Sequence, residues 1–161
     1  MATINANVTI SSDISSYPIS ISKSMSMTKS ANPSVGLDET TGLRTKKFTS
    51  TTAAVIVEHD ELTDDKAHKV YIRNAGTNRA NFFYVAYNAS AAAAATAETI
   101  GKLYGGDWML MPYDGNVNIT VASSTASETQ YLEYMVFADG IVAAKGSVSY
   151  THLTLPTKRI V

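Results

Sequence analysis

Apolar and polar residues alternate along this chain with a period near two, the spacing at which successive side chains point to opposite faces of a β-strand. Ile4, Ala6, Val8 and Ile10 fall on one face of a first predicted strand. Ile19, Ile21, Met25 and Met27 do the same for a second, with Ser and Lys between them. Pro18 starts that strand, where its missing N–H matters least. Residues 28–43 carry Pro33, Gly36 and Gly42 and few large apolar side chains, so they read as a long loop or extended arm.

The run 46–58 reads as a third strand. The polar segment after it has room for one helical turn, capped by Thr63 or Asp64. Residues 69–74 form a short strand that ends at the turn Ala75-Gly76-Thr77-Asn78. Residues 81–88 are strongly β by their aromatic content. One face is Phe83, Val85 and Tyr87, the other Phe82, Tyr84 and Ala86, and both are apolar enough for a central strand covered on each side. Only residues 89–97 have high helix propensity, and they are too short to stand as a helix alone. They read as a hairpin loop or one packed turn. Residues 99–104 and 108–113 look like two strands joined by a tight turn at Gly105-Gly106-Asp107. Asp114-Gly115 is a further turn, and strands within 116–123 and 129–138 complete the set.

About eight to nine short strands with regularly spaced turns predict an all-β fold: a single-domain antiparallel β-sandwich, jelly roll or Greek-key barrel. No linker divides the chain. Residues 1–43 are expected to supply the N-terminal strands and an extended loop or arm of that same domain, and residues 44–146 its core.

Composition narrows the function. The 17% of charged residues is low, and the formal net charge is −1, so no basic excess is present to neutralise phosphates. No nucleic-acid partner is expected. There are no cysteines, which excludes disulfides, thiolate metal sites and a Cys nucleophile. The N-terminus lacks a basic start and a continuous apolar run, so no signal peptide is expected. No window approaches the roughly 20 apolar residues that span a membrane. The N-x-S/T triplets at Asn7, Asn88 and Asn118 then read as chance occurrences in an Asn/Ser/Thr-rich sequence.

No constellation predicts catalysis, a cofactor or a metal. His59 and His68 flank an acidic stretch of Glu58, Asp60, Glu61, Asp64 and Asp65, but they follow no EF-hand or zinc spacing, and a solvated turn explains them better. There is no G-x-S-x-G elbow for a serine nucleophile. Gly105-Gly106 lacks the Lys and Ser/Thr of a phosphate loop. Trp108, the sole tryptophan, lies in a predicted strand, where core packing is expected over a sugar platform. Tyr71, Phe82, Tyr84, Tyr87, Tyr131, Tyr134 and Phe137 suit either a core and oligomer interface or a carbohydrate surface, and core and interface is the expectation.

The last residues are expected to have a different origin. Read in one frame, a transposon-end sequencing adapter encodes Val-Ser-Tyr-Thr-His-Leu-Thr-Leu-Pro-Thr, which is the sequence of residues 148–157. A following A with a variable index accounts for Lys158, Arg159 and Ile160, and GTG then TAG gives Val161 and a stop. Residues 148–161 are therefore expected to be a translated artefact, with the native sequence lost near Gly146 or Ser147, and His152 carries no functional weight.

The matching stretches 2–14, 37–48, 67–74, 100–113 and 131–140 together give a family likeness. Most telling are IGKLYGGDW, a strand-turn-strand, and the closing LEYMVF. Over most of residues 2–140 the chain resembles small virion structural proteins of marine tailed phages, especially those infecting cyanobacteria. The resemblance implies a non-enzymatic, all-β virion component assembled in the host cytoplasm, with no catalytic residues to carry over. A capsid decoration or accessory head protein is the first expectation. A tail-associated structural protein or a carbohydrate-binding, receptor-binding jelly roll is the alternative. Implied partners are further copies of itself, a trimer being one option, and the major capsid or other virion proteins. The N-terminal region up to Leu43 could order on docking and wrap a neighbour.

Overall fold

The computed structural model describes residues 3–14, 18–87 and 99–142. The expected turn at 89–97, the triplet at Asn88 and the adapter-like residues 148–161 lie outside them.

Eleven strands carry the described chain. They are β1 (Asn5–Ser12), β2 (Ile19–Ser26), β3 (Glu39–Thr40), β4 (Arg44–Phe48), β5 (Ala54–Val57), β6 (His68–Asn74), β7 (Phe82–Tyr87), β8 (Thr99–Tyr104), β9 (Trp108–Tyr113), β10 (Ile119–Ser123) and β11 (Gln130–Ala138). A single 3-10 turn at His59–Glu61 is the only helical element described. The chain is all-β, as its alternation predicts, with two strands more than the upper expectation.

The last eight strands obey one pairing rule. β4 pairs with β11, β5 with β10, β6 with β9 and β7 with β8, always antiparallel. This is a double ribbon in which β4–β7 run out and β8–β11 run back. The ribbon then rolls, so that β6 also pairs with β11 and β7 with β10. Two sheets result, β5-β10-β7-β8 and β4-β11-β6-β9. That is a jelly roll, the one of the three all-β alternatives in which a rolled ribbon fills both sheets. β3 lengthens the second sheet by pairing with the end of β11.

The inward residues form the core. Phe83, Val85, Ile119 and Val121 from one sheet meet Val70, Ile72, Leu132 and Val136 from the other. Phe48 stands edge-on to Phe83 at 5.0 Å between ring centroids. At β5 two consecutive residues, Ile56 and Val57, are both buried. The register shift against β10 explains this, because a bulge lets two residues face inward opposite one.

Several local expectations are corrected by the tertiary structure. The run 46–58 is not one strand. β4 belongs to one sheet and β5 to the other, and residues 49–53 cross between them. Likewise β8 and β9 do not pair with each other. Their glycine turn carries the chain from one sheet to the other. The helical turn lies upstream of its expected caps, with Glu58 at its N-cap and no side-chain cap. Thr63 instead donates its backbone N–H to Gly140 O at 3.1 Å. β7 is an interior strand as expected, but the strand buried on both faces is β10.

The segment 28–43 is anchored to the body and does not hang free. Leu37 is fully buried, and Met27 nearly so. Leu37 N–H donates to Met27 O at 2.8 Å, and Thr28 bridges Gly36. The Asp139 carboxylate accepts from Ser30 N–H at 2.6 Å and Ser30 Oγ–H at 2.7 Å. Only β1 and β2 stand apart, as a separate two-stranded sheet paired along all eight residues.

Candidate interaction surfaces

The residue types that suggested chemistry are dispersed. His59 is exposed, and its backbone N–H binds Asn118 Oδ1 at 2.9 Å. His68, nine residues on in sequence, is wholly buried. Its Nδ1 accepts from Asp139 N–H at 2.9 Å, and its Nε2 lies 2.8 Å from Thr63 O. Since Nδ1 accepts, the proton sits on Nε2 and is donated to Thr63. Glu61 pairs with Arg44 at 3.3 Å, and Asp65 accepts from Asn116 Nδ2 at 2.9 Å. Among the described residues no three His, Asp or Glu side chains are grouped to hold a metal ion. No helix among them is long and apolar enough to cross a membrane.

Among the described residues the Asp139 carboxyl is the most embedded acidic group. Burial on its own raises its pKa. The two hydrogen bonds from Ser30 and one from Ala67 N–H at 3.3 Å outweigh this and hold it below the ordinary value. Nearby, Tyr87 and Tyr113 stack with centroids 6.5 Å apart. Burial pushes both phenols above their ordinary value, so they stay protonated. Their hydroxyls donate to the backbone at Pro112 O and Val117 O. They line a cleft of about 450 Å³ with Lys66 and Asp114. Its hydrogen bonds serve to fix the β9–β10 connection.

Three surfaces remain as candidates for contact with other molecules. The first lies between the hairpin β1–β2 and the outer face of the β4-β11-β6-β9 sheet. Ala6, Val8 and Met25 line a crevice of about 590 Å³ opposite Trp108, Leu110 and Pro112. Trp108 is 52% exposed, which corrects the core position expected for it. Strand position does place it in a sheet, but on the outward phase of β9, where it meets Tyr71 at 6.3 Å. The hairpin covers that face only near its base. Further out, Ile10 is 52% exposed and Ile21, its directly paired neighbour, 44%.

The second surface is polar. Glu128 Oε2 accepts from Asn81 Nδ2 at 2.6 Å and from Asn78 Nδ2 at 3.1 Å. These groups line a shallow pocket of about 200 Å³ beside the exposed ring of Tyr131. The third is on the outer face of β7 and β8. There Lys102 Nζ lies 4.8 Å from the Phe82 ring and 5.4 Å from that of Tyr84. Of the seven aromatics assigned to core and interface, none is fully buried, and Tyr131 is the most exposed.

Sequence reasoning overlooked Asp139 and Glu128, which sit at the two ends of the body flanking β11. Neither has a local signal, because their partners are 47 to 109 residues away in sequence. The β1–β2 hairpin did leave a trace. Small Ala6 and Val8 stand at its base, where the body is close, and isoleucines stand further out. No family model, curated protein or solved structure matches the chain.

Proposed function

We propose that this chain is a non-enzymatic structural protein of a tailed-phage virion, placed on the capsid as a decoration or accessory head protein. The resemblance of its motifs to cyanophage virion proteins supplies the context. The observation that carries the reading is how its apolar surface is distributed. A jelly roll with a filled core leaves Ile10, Ile19 and Ile21 uncovered on a projecting hairpin. Such exposed apolar surface is the mark of a contact site. A folded body that carries a projecting contact element suits a molecule that assembles with its neighbours on a lattice.

The test is co-sedimentation with shells of a phage that encodes the chain. The protein should pellet with expanded capsids at a fixed ratio to the shell protein. Recovery in the supernatant with both expanded and unexpanded shells would sink the proposal. Binding to isolated tails alone would move it to the tail.

A second reading, a carbohydrate-binding module at a receptor-binding tip, is favoured by the polar pocket. An exposed Tyr131 ring, a carboxylate and two amides are groups that bind sugar hydroxyls and sugar faces. A glycan array separates the two, with loss of signal in Tyr131→Ala the outcome that favours the sugar.

A further inference from the structure

We infer that β1–β2 is an exchange arm whose outer half docks in the Trp108 crevice of a second copy of this chain. The inference deepens the proposed virion role by naming how copies grip each other, and it rests on that role only for its setting.

The arm and the crevice are two uncovered surfaces of one molecule. Each strand of the arm is eight residues, so the hairpin reaches about 26 Å at ~3.3 Å per residue. One of its faces is Ser, Thr and Asn throughout, and the other is apolar apart from Ser12 and Lys23. Ala6, Val8 and Met25 spend that apolar face on the arm's own body. Ile10, Ile19 and Ile21 continue the same stripe beyond it, and Ile14 at the tip is 89% exposed. An isolated two-stranded hairpin is marginal in water, so a stripe of this kind needs a cover.

Charge selects the occupant. Asp13 follows β1 at the tip, and the crevice carries Lys23 and Lys69. Docking the tip of one copy at the crevice of another therefore brings opposite charges together. The arm offers one cation, Lys23, and no aromatic side chain on β1 or β2, which argues against nucleic acid or a lipid surface as the partner.

Area agrees with reciprocity. The four outer isoleucines expose on the order of 400 Å², as much as the largest apolar patch of a typical monomer. One arm in one crevice is too small for a stable complex. Two reciprocal dockings cover an arm and a crevice on each copy, near the ~800 Å² per partner of a standard interface. The same contact made in a ring of copies serves a higher rotational symmetry equally well.

The cysteine-free sequence gives a clean background for the test. An Ile21→Cys chain is mixed with a Trp108→Cys chain carrying a different tag, and the mixture is oxidised. A mixed disulfide dimer should dominate, and Asp13→Lys in the first chain should lower its yield about tenfold. Sedimentation should show self-association of the unmodified protein and a folded monomer for the Ile10→Ser/Ile21→Ser variant. The inference is overturned if the mixed dimer forms no faster than with a Ser50→Cys chain, whose cysteine lies on the exposed crossing between β4 and β5. It is also overturned if the unmodified protein sediments as a monomer. Capsid co-sedimentation is scored separately. A monomer that still binds shells ends the exchange arm and leaves the decoration role standing. A cross-linked dimer that ignores shells does the reverse.

Discussion

The imidazole Nδ1 of His68 accepts a hydrogen bond from the backbone N–H of Asp139 at 2.9 Å, which ties the start of β6 to the residue just after β11. With Nε2 donating to Thr63 O, the ring spans three chain segments inside the body. His68→Leu keeps the bulk but strands the buried N–H of Asp139 and the half-buried carbonyl of Thr63. A loss of roughly 2–4 kcal/mol is expected in urea unfolding. His68→Gln, which retains a donor and an acceptor, should recover part of it.

Asp139 gives the fold an acid-sensitive element. Its carboxyl is held below the ordinary value of 3.8 by Ser30 and Ala67 against the opposing effect of burial. A depressed folded pKa means that the stabilisation is complete above the unfolded value and is lost as pH falls through the folded one. Asp139→Asn should cost about 1–3 kcal/mol at neutral pH and flatten the fall in stability below pH 4. A series of urea midpoints from neutral to acid pH would show both effects. An unchanged acid limb would assign it to other carboxylates.

The crossing from β8 to β9 depends on Gly105. A Cβ there would lie 2.5 Å from Asn78 O, a backbone atom that cannot swing aside. Gly105→Ala should destabilise by about 1–3 kcal/mol through displacement of the Asn78 loop. Gly101→Ala is the control, because a Cβ at that position meets nothing within 4 Å. Thermal melts of the two variants should separate clearly.

Thr120 offers a gain. Its Oγ1 is buried and has no hydrogen-bond partner among the described residues. It stands in β10 between Ala86 and Val55 of the flanking strands. Thr120→Val exchanges the stranded hydroxyl for a methyl of similar size. An increase in stability of about 1 kcal/mol is expected by denaturant titration, and a decrease would mean that the hydroxyl is satisfied.

Two isoleucines of equal sequence character should respond very differently. Ile72 is fully buried in β6, and Ile10 is half exposed on the arm. Ile72→Ala should lose about 2–5 kcal/mol. Ile10→Ala should stay within ~0.5 kcal/mol for the isolated protein. Equilibrium unfolding under dilute conditions, where copies are apart, makes the comparison.

Those isoleucines also mark where sequence stopped being informative. Alternation is a local property, since each strand presents its side chains to two faces whatever its neighbours do. Period-two runs therefore sufficed to read most strands and the all-β class, and turn residues marked the bend at Asp114–Gly115, whereas the turn expected at Ala75-Gly76-Thr77-Asn78 falls just after it, at residues 79–80. The same runs carry no record of which sheet a strand enters. The stretch 46–58 looks continuous, yet it is divided because β4 finds β11 and β5 finds β10, partners about 60 to 90 residues further along. Trp108 alternates correctly, and only the packing of Met109, Met111 and Tyr113 into the core decides that its phase points outward. Asp139, Glu128 and the exposed stripe of the arm have the same cause. Their environments are assembled from distant segments when the ribbon rolls, so local chemistry wrote the strands and long-range pairing chose the jelly roll and its surfaces.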